Sequence, residues 1–368
     1  MASDPPYLDT YKTLFQGNTP GGSKAAKAKD NKLFMVEECD LPLIDLSRLN
    51  LDRAERDKCK RKITDASSNW GFFQVINHGV PRQLLKSMQY EQMKVFHQPF
   101  YKKSEENFLN LPANSYRWGN PAATCLRQFS WSEAFHIPLT DISRMDESTI
   151  EVFATTVSVL AQSLAEILAQ NLGEVDAGFF QENCSPSTSY LRMNRYPPCP
   201  ISSEVFGMMP HTDSDFLTIL YQDQVGGLQL VKDDRWFSVK PNPDALIINI
   251  GDLFQAWSNG VYKSVEHQVV ASEEGERFSV AYFYCPSYNT VIQSYSKPAV
   301  YRTFSFKEYR QQVKTDVGST GYKVGLPRKT NIIRKIQLAQ RKGQLIYPLK
   351  TAQPPQTKQN STNNPTPN

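Results

Sequence analysis

The sequence predicts a mixed α and β chain, with helices through its first half and a β-barrel or jelly roll after about residue 187. Two observations carry this. In the first half, apolar residues recur at helical spacing, most plainly between Glu147 and Leu172, where Ile150, Phe153, Val157, Leu160, Leu164, Ile167 and Leu168 form one stripe. In the second half, about eight short β-branched and aromatic runs alternate with Pro, Gly and Asp turns.

Taken in order, residues 1–40 read as a loose arm, rich in Pro, Gly, Lys and Asn. Leu41–Leu46 is an apolar strand, and Arg53–Asn69 a charged helix. Trp70–Asn77 is a strand by its aromatic and β-branched content, and His78-Gly-Val-Pro81 is its turn. Pro81 suits the first position of a helix running to Phe96. Ser130–Leu139 reads as an aromatic strand, and Gly173 stops the long helix. Strands are then expected over 189–195, 217–222, 228–232, 236–241, 245–250, 266–270, 278–285 and 291–293, with a hairpin turn at Asn242-Pro-Asp244 and a tight loop at Ser258-Asn-Gly260. Ser305-Phe-Lys-Glu308 is a capping box that opens a last helix, expected to reach about Lys314.

Composition sets the outer bounds. The 368 residues are 40% apolar, with 20 Phe and 17 Tyr, so a sizeable core is available. The net charge of +4 argues against nucleic acid as a partner. No acidic residue follows Asp316, whereas Lys323, Arg328, Lys329, Arg334, Lys335, Arg341 and Lys342 do, and this reads as a solvated basic end. The six cysteines have no CxxC spacing and suit free thiols in a reducing compartment. No secretory pattern opens the chain, and no stretch reads as the roughly 18 apolar residues of a membrane span. A cytoplasmic protein without a membrane partner is expected, with the nucleus also open to it.

The chemistry centres on His211-Thr-Asp213. In a strand, side chains two apart point to one face, so an imidazole and a carboxylate would converge. Two His and one carboxylate make the facial triad that holds non-haem Fe(II). Of the other His, His78 lies in a turn, His97 ends a helix, and His136 has no carboxylate at the right spacing. His267, in Ser264-Val-Glu-His-Gln-Val-Val270, is the third ligand. Ten residues on, Arg277 and Ser279 share a strand face and form a receptor for a carboxylate. A small diacid could chelate the metal at one end and meet Arg277 at the other.

Asn194-Arg-Tyr-Pro-Pro-Cys-Pro200, His211-Thr-Asp213, Asn249-Ile-Gly-Asp252, Trp257-Ser-Asn-Gly260, His267 and Arg277-Phe-Ser279, in this order, resemble the plant 2-oxoglutarate/Fe(II)-dependent dioxygenases. The resemblance runs from about Leu41 to Pro327 and includes Trp70–Gly79. It implies a double-stranded β-helix (jelly-roll) core flanked by helices. It divides the chain into an arm (1–40), an N-terminal region (41–186), the core (187–295), a closing helix and segment (296–328) and a polar tail (329–368). It implies Fe(II) on His211, Asp213 and His267. Arg277, which it places in the catalytic machinery, and Ser279 take the far carboxylate of 2-oxoglutarate, with Tyr196 and Asn194 on the same cosubstrate. O2 is the other cosubstrate, and ascorbate supports turnover.

Asp4–Phe15, Ser130–His136, Cys285-Pro-Ser-Tyr288 and Gly325-Leu-Pro-Arg328 resemble the gibberellin 2-oxidases that act on twenty-carbon precursors. That implies hydroxylation at carbon 2 of a diterpenoid acid, which inactivates the hormone or its precursor. Gln268 stands where many relatives carry Arg. Trp118, Phe129, Trp131, Phe135, Tyr284 and Tyr288 are candidate pocket walls. The competing readings are a sister dioxygenase of flavonoids or other small metabolites, and a cupin-like binding protein without turnover.

Overall fold

The computed structural model describes residues 3–16, 36–145, 148–173 and 178–330. In chain order the strands are β1 (Glu38–Cys39), β2 (Leu43–Asp45), β3 (Phe72–Ile76), β4 (Tyr116–Trp118), β5 (Glu133–Pro138), β6 (Tyr190–Tyr196), β7 (Phe206–His211) and β8 (Leu217–Gln222). They continue with β9 (Leu228–Lys232), β10 (Arg235–Val239), β11 (Leu246–Ile250), β12 (His267–Val270), β13 (Arg277–Tyr284), β14 (Val291–Ile292) and β15 (Phe304–Ser305). The larger sheet has the order β2-β3-β11-β8-β13-β6-β5-β4, and the smaller β1-β10-β9-β12-β7. An apolar layer of Phe72, Tyr196 and Ile247 from the larger sheet and Leu228, Leu230 and Val269 from the smaller joins the two in a jelly roll.

The other face of the larger sheet is covered by helices. Ser148–Asn171 buries Ile150, Phe153, Val157, Leu164 and Leu168 against it, which accounts for the stripe seen in the sequence. By length and composition Thr149–Gln170 could also cross a membrane, contrary to expectation. Half of it is buried here, as suits a core helix. Arg53–Asn69 has the predicted bounds, with the Asp52 carboxylate accepting from Glu55 N. Because both faces of β13 are covered, all eight of its residues are buried.

Several expectations are corrected. The arm is not loose throughout: helices Tyr7–Thr10 and Lys12–Gln16 form, and Tyr7 and the linking Tyr11 pack onto Trp118, Phe129 and Trp131. Residues 17–35 lie outside the described residues. Pro81 is the cap of helix Arg82–Phe96 rather than its first residue, with extended backbone at ψ 135°. Asn242-Pro-Asp244 joins β10 to β11 across the two sheets, so it closes no hairpin. The last helix runs Phe306–Thr320, to the αL residue Gly321, and its capping box is half made: Ser305 Oγ accepts from Glu308 N, while Glu308 Oε1 accepts from Arg302 and Lys329. Three cations of the basic end are paired with acids of the fold, Lys323 with Asp252, Arg328 with Asp316 and Lys329 with Glu308, and of the three only Arg328 stays half exposed. The tail from 331 on lies outside the described residues, as does Glu147.

Strand β7 was missed because Phe206-Gly-Met-Met-Pro-His211 carries Gly and Pro. Both are explained by its position. β7 is at the edge of the smaller sheet, where Pro costs no ladder bond. A Cβ on Gly207 would sit 2.8 Å from the Tyr196 ring.

Candidate active site

β7 and β12 run antiparallel with His211 directly opposite His267. This register, rather than local spacing, brings together two imidazoles 56 positions apart in the chain. β7 ends at His211, so the expected strand geometry for His211-Thr-Asp213 does not hold. Asp213 lies in the loop that crosses from the smaller sheet to β8 of the larger. The outcome is nonetheless convergence. Asp213 Oδ1 is 3.7 Å from His211 Nε2 and 3.8 Å from His267 Nε2, and the imidazole centroids are 4.3 Å apart.

The residues fit a metal. His211 Nδ1 donates to Met209 O at 2.8 Å and His267 Nδ1 to Val265 O at 3.1 Å, so each Nε2 keeps its lone pair toward the common point. Burial pushes the His211 imidazole down and keeps it neutral. For Asp213, burial works the other way, but His267, His211 and hydrogen bonds from Thr218 and Asn249 outweigh it and hold the carboxyl below its usual range. Thr218 Oγ1 (2.6 Å) and Asn249 Nδ2 (2.8 Å) both donate to Oδ2, which leaves Oδ1 for the metal. Among the described residues this is the cluster of His and acid side chains whose ligand atoms, all within 4.8 Å of one another, could hold an ion.

The loop is held from behind by Asn249-Ile-Gly-Asp252. Asp252 N donates to Asp213 O and Leu253 N to Asp215 O, both at 3.0 Å, so the first turn of helix Asp252–Trp257 pins the crossing. A Cβ at Gly251 would lie 2.1 Å from Asp215 Oδ1, so only Gly lets the loop approach. The Asp252 carboxylate accepts from Thr212 Oγ1 at 3.0 Å, from Lys323 Nζ at 2.6 Å and from Tyr309 Oη. Sequence reasoning named the motif and gave no role to Thr218, Asp252 or Lys323; the pairing of Lys323 crosses 71 positions and leaves no local signal.

β13 and β6 carry the second cluster in register: Arg277 opposite Tyr196, and Ser279 opposite Asn194. Arg277 is buried without an acid partner among the described residues. Its Nε donates to Gly226 O at 2.5 Å, its Nη2 to Gln222 Oε1 at 2.6 Å and its Nη1 to Ser279 Oγ at 3.3 Å, and its guanidinium lies 4.8 Å from the Tyr196 centroid. Its hydrogen bonds go to neutral acceptors rather than to a carboxylate, which suits an incoming carboxylate. Asn194 Oδ1 is taken by Arg192 Nε at 2.8 Å. All seven predicted site residues line one chamber of about 210 Å³.

The remaining candidates fall elsewhere. His78 Nδ1 accepts from Val80 N, His97 meets Glu276, and His136 stacks on Tyr190 at 4.0 Å. Gln268 bonds Gln229 at 2.7 Å, on the opposite side of β12 from His267. None of the six candidate wall residues lines the chamber. Phe129 and Trp131 are core under the N-terminal helices, Phe135 and Tyr284 are core under the larger sheet, and Tyr288 is exposed and lines a groove next to the chamber. For Phe129, Trp131, Phe135 and Tyr284, aromatic content marked burial and not the pocket.

Comparison with known proteins agrees with this geometry. Residues 187–286 match the 2OG-Fe(II) oxygenase superfamily, and residues 41–155 match the non-haem dioxygenase in morphine synthesis N-terminal family. Gibberellin 2-beta-dioxygenase 8 of Arabidopsis thaliana is 56% identical over 89% of this chain and 99% of its own length. Gibberellin 2-beta-dioxygenase 6 of Oryza sativa subsp. japonica is 48% identical over 89% and 96%. The crystal structure of JOX2 in complex with 2OG, Fe and JA superposes with a TM-score of 0.67 at 29% identity, over 86% of this chain and 96% of that one. The chain belongs to the 2-oxoglutarate/Fe(II) oxygenase superfamily, with iron as its metal and 2-oxoglutarate as its cosubstrate.

Proposed function

We propose that this enzyme hydroxylates gibberellins at carbon 2, and that its preferred substrates are twenty-carbon precursors. The likeness to gibberellin 2-beta-dioxygenases over nearly the whole chain carries the reading. Two of the stretches that suggested the twenty-carbon class, Asp4–Phe15 and Ser130–His136, supply rings to one aromatic cluster beside Phe129, which supports treating them as one inherited feature.

In this reading His211, Asp213 and His267 hold Fe(II), which with 2-oxoglutarate and O2 supplies the power to convert C–H to C–OH as the cosubstrate becomes succinate and CO2. Thr218 and Asn249 orient the Asp213 carboxylate. Arg277 and Ser279 bind the distal carboxylate of 2-oxoglutarate, and Tyr196 and Asn194 wall the same site. The enclosing sheets exclude water and confine the substrate's carbon 2 beside the metal. Six free thiols support a cytosolic or nuclear location.

The test is incubation with Fe(II), ascorbate, 2-oxoglutarate and a panel of gibberellins, read by mass spectrometry. One oxygen added at carbon 2 with matching succinate is expected. Conversion of a flavonoid with no gibberellin converted would overturn the reading.

A further inference from the structure

We propose that Arg192, Arg310 and Arg117 form a carboxylate receptor for the substrate, at the end of the chamber opposite Arg277. The gibberellin reading supplies only the identity of the acid.

The placement follows from register. Along β6 and β13 the pairs are Tyr196 with Arg277, Asn194 with Ser279, Arg192 with Ala281, and Tyr190 with Phe283. Residues two apart share a face, so Arg192 points to the side of the sheet that carries Arg277, about 13 Å further along the strand. β5 places His136 opposite Arg192 and Ala134 opposite Asn194, and β4 places Arg117 opposite Ala134, again on that face. Tyr190 and Ser214 line both the metal chamber and a groove of about 610 Å³. Arg117, Arg310, Lys307 and Lys314 line this groove, and no acidic residue does.

The arginines are held but not neutralised. Arg310 lies over the rings of Tyr288 and Phe306, at 5.7 and 5.8 Å, and donates to Tyr288 Oη at 3.3 Å. Arg192 donates to the amide oxygen of Asn194, and Arg117 to the carbonyl of Asn114. Among the described residues no carboxylate pairs with any of the three. Arg195, one position from Asn194, shows the alternative: it meets Asp4, Glu133 and Glu276 at 2.8 Å each. Burial first, then the charges of Arg192, Arg117 and Arg310, push the imidazole of His136 down to about 3, so it adds no charge of its own.

A cationic groove that continues into a metal chamber recognises an acid that presents its carboxylates to the groove while its reacting carbon faces the metal. A twenty-carbon gibberellin precursor has two free carboxylates, whereas a nineteen-carbon gibberellin has one and a lactone. More than one cation in the groove therefore selects the diacid.

The test compares wild type, Arg310→Gln, Arg117→Gln and Arg310→Lys with a twenty-carbon diacid and a nineteen-carbon lactone acid. Thermal unfolding of each variant shows that it is folded. Arg310→Gln is expected to raise KM for the diacid roughly 10- to 100-fold, the loss of one charge-assisted bond, with a smaller rise for the lactone acid. Arg310→Lys is expected to restore most of the affinity. A folded Arg310→Gln and a folded Arg117→Gln that both keep the wild-type KM for the diacid would overturn the receptor and leave the gibberellin assignment standing. The converse failure is separable. If wild type converts no gibberellin, diacid binding to the Mn(II)- and 2-oxoglutarate-loaded protein still reads the receptor. Loss of that binding in Arg310→Gln supports the receptor, and its absence from wild type or its persistence in the variant contradicts it.

Discussion

The two ends of the chamber are built on opposite physical terms. At the metal end every donor is fixed by a second partner: Met209 O behind His211, Val265 O behind His267, Thr218 and Asn249 on Asp213. At the other end, Arg310 and Arg117 are exposed and lean on rings and neutral oxygens. The contrast separates tasks. A metal needs donors in place before it arrives, so the fold spends hydrogen bonds on them. An acidic substrate must enter and leave, so its anchors sit at an open groove and rely on charge.

Substitutions can break this contrast, the largest effect first. His211→Ala is expected to abolish iron-dependent decarboxylation of 2-oxoglutarate, measured as succinate released; wild-type turnover in that variant would sink the triad. Asn249→Ala removes one of the two donors to Asp213 Oδ2 and should weaken Fe(II) binding roughly 10- to 100-fold, as for other partners of metal ligands. Iron titration followed by activity measures it, and unchanged affinity would show that Thr218 alone orients the carboxylate. Raising salt sharpens the contrast with the smallest effect. It should lower kcat/KM for a dianionic substrate several-fold, because exposed charges are screened within about 8 Å at physiological ionic strength. The KM for 2-oxoglutarate at buried Arg277 should respond less.

The same division explains what could be read from the sequence. Strands β8 and β9 and helix Arg53–Asn69 have the predicted bounds, because apolar periodicity is local. The donor set was legible as residue types and a spacing. The reason it converges was not, since Asp213 leaves the strand and His267 arrives by the β7–β12 register. Edge strand β7 hid behind Gly207 and Pro210, which its position permits. Tyr7 and Tyr11 look like part of a loose arm in the sequence because their partners, Trp118 and Phe129, lie more than a hundred positions away. Lys323 and Lys329 looked like solvated basic residues for the same reason: charge is visible in a sequence and its partner is not.

The most direct measurement of the division is a crossed kinetic comparison of Arg277→Gln and Arg310→Gln. Arg277→Gln should raise KM for 2-oxoglutarate roughly 10- to 100-fold and change KM for the gibberellin little, because a charge-assisted bond is lost only at the cosubstrate end. Arg310→Gln should do the reverse. A variant in which both KM values rise together would contradict the account, since the two ends would then be one site.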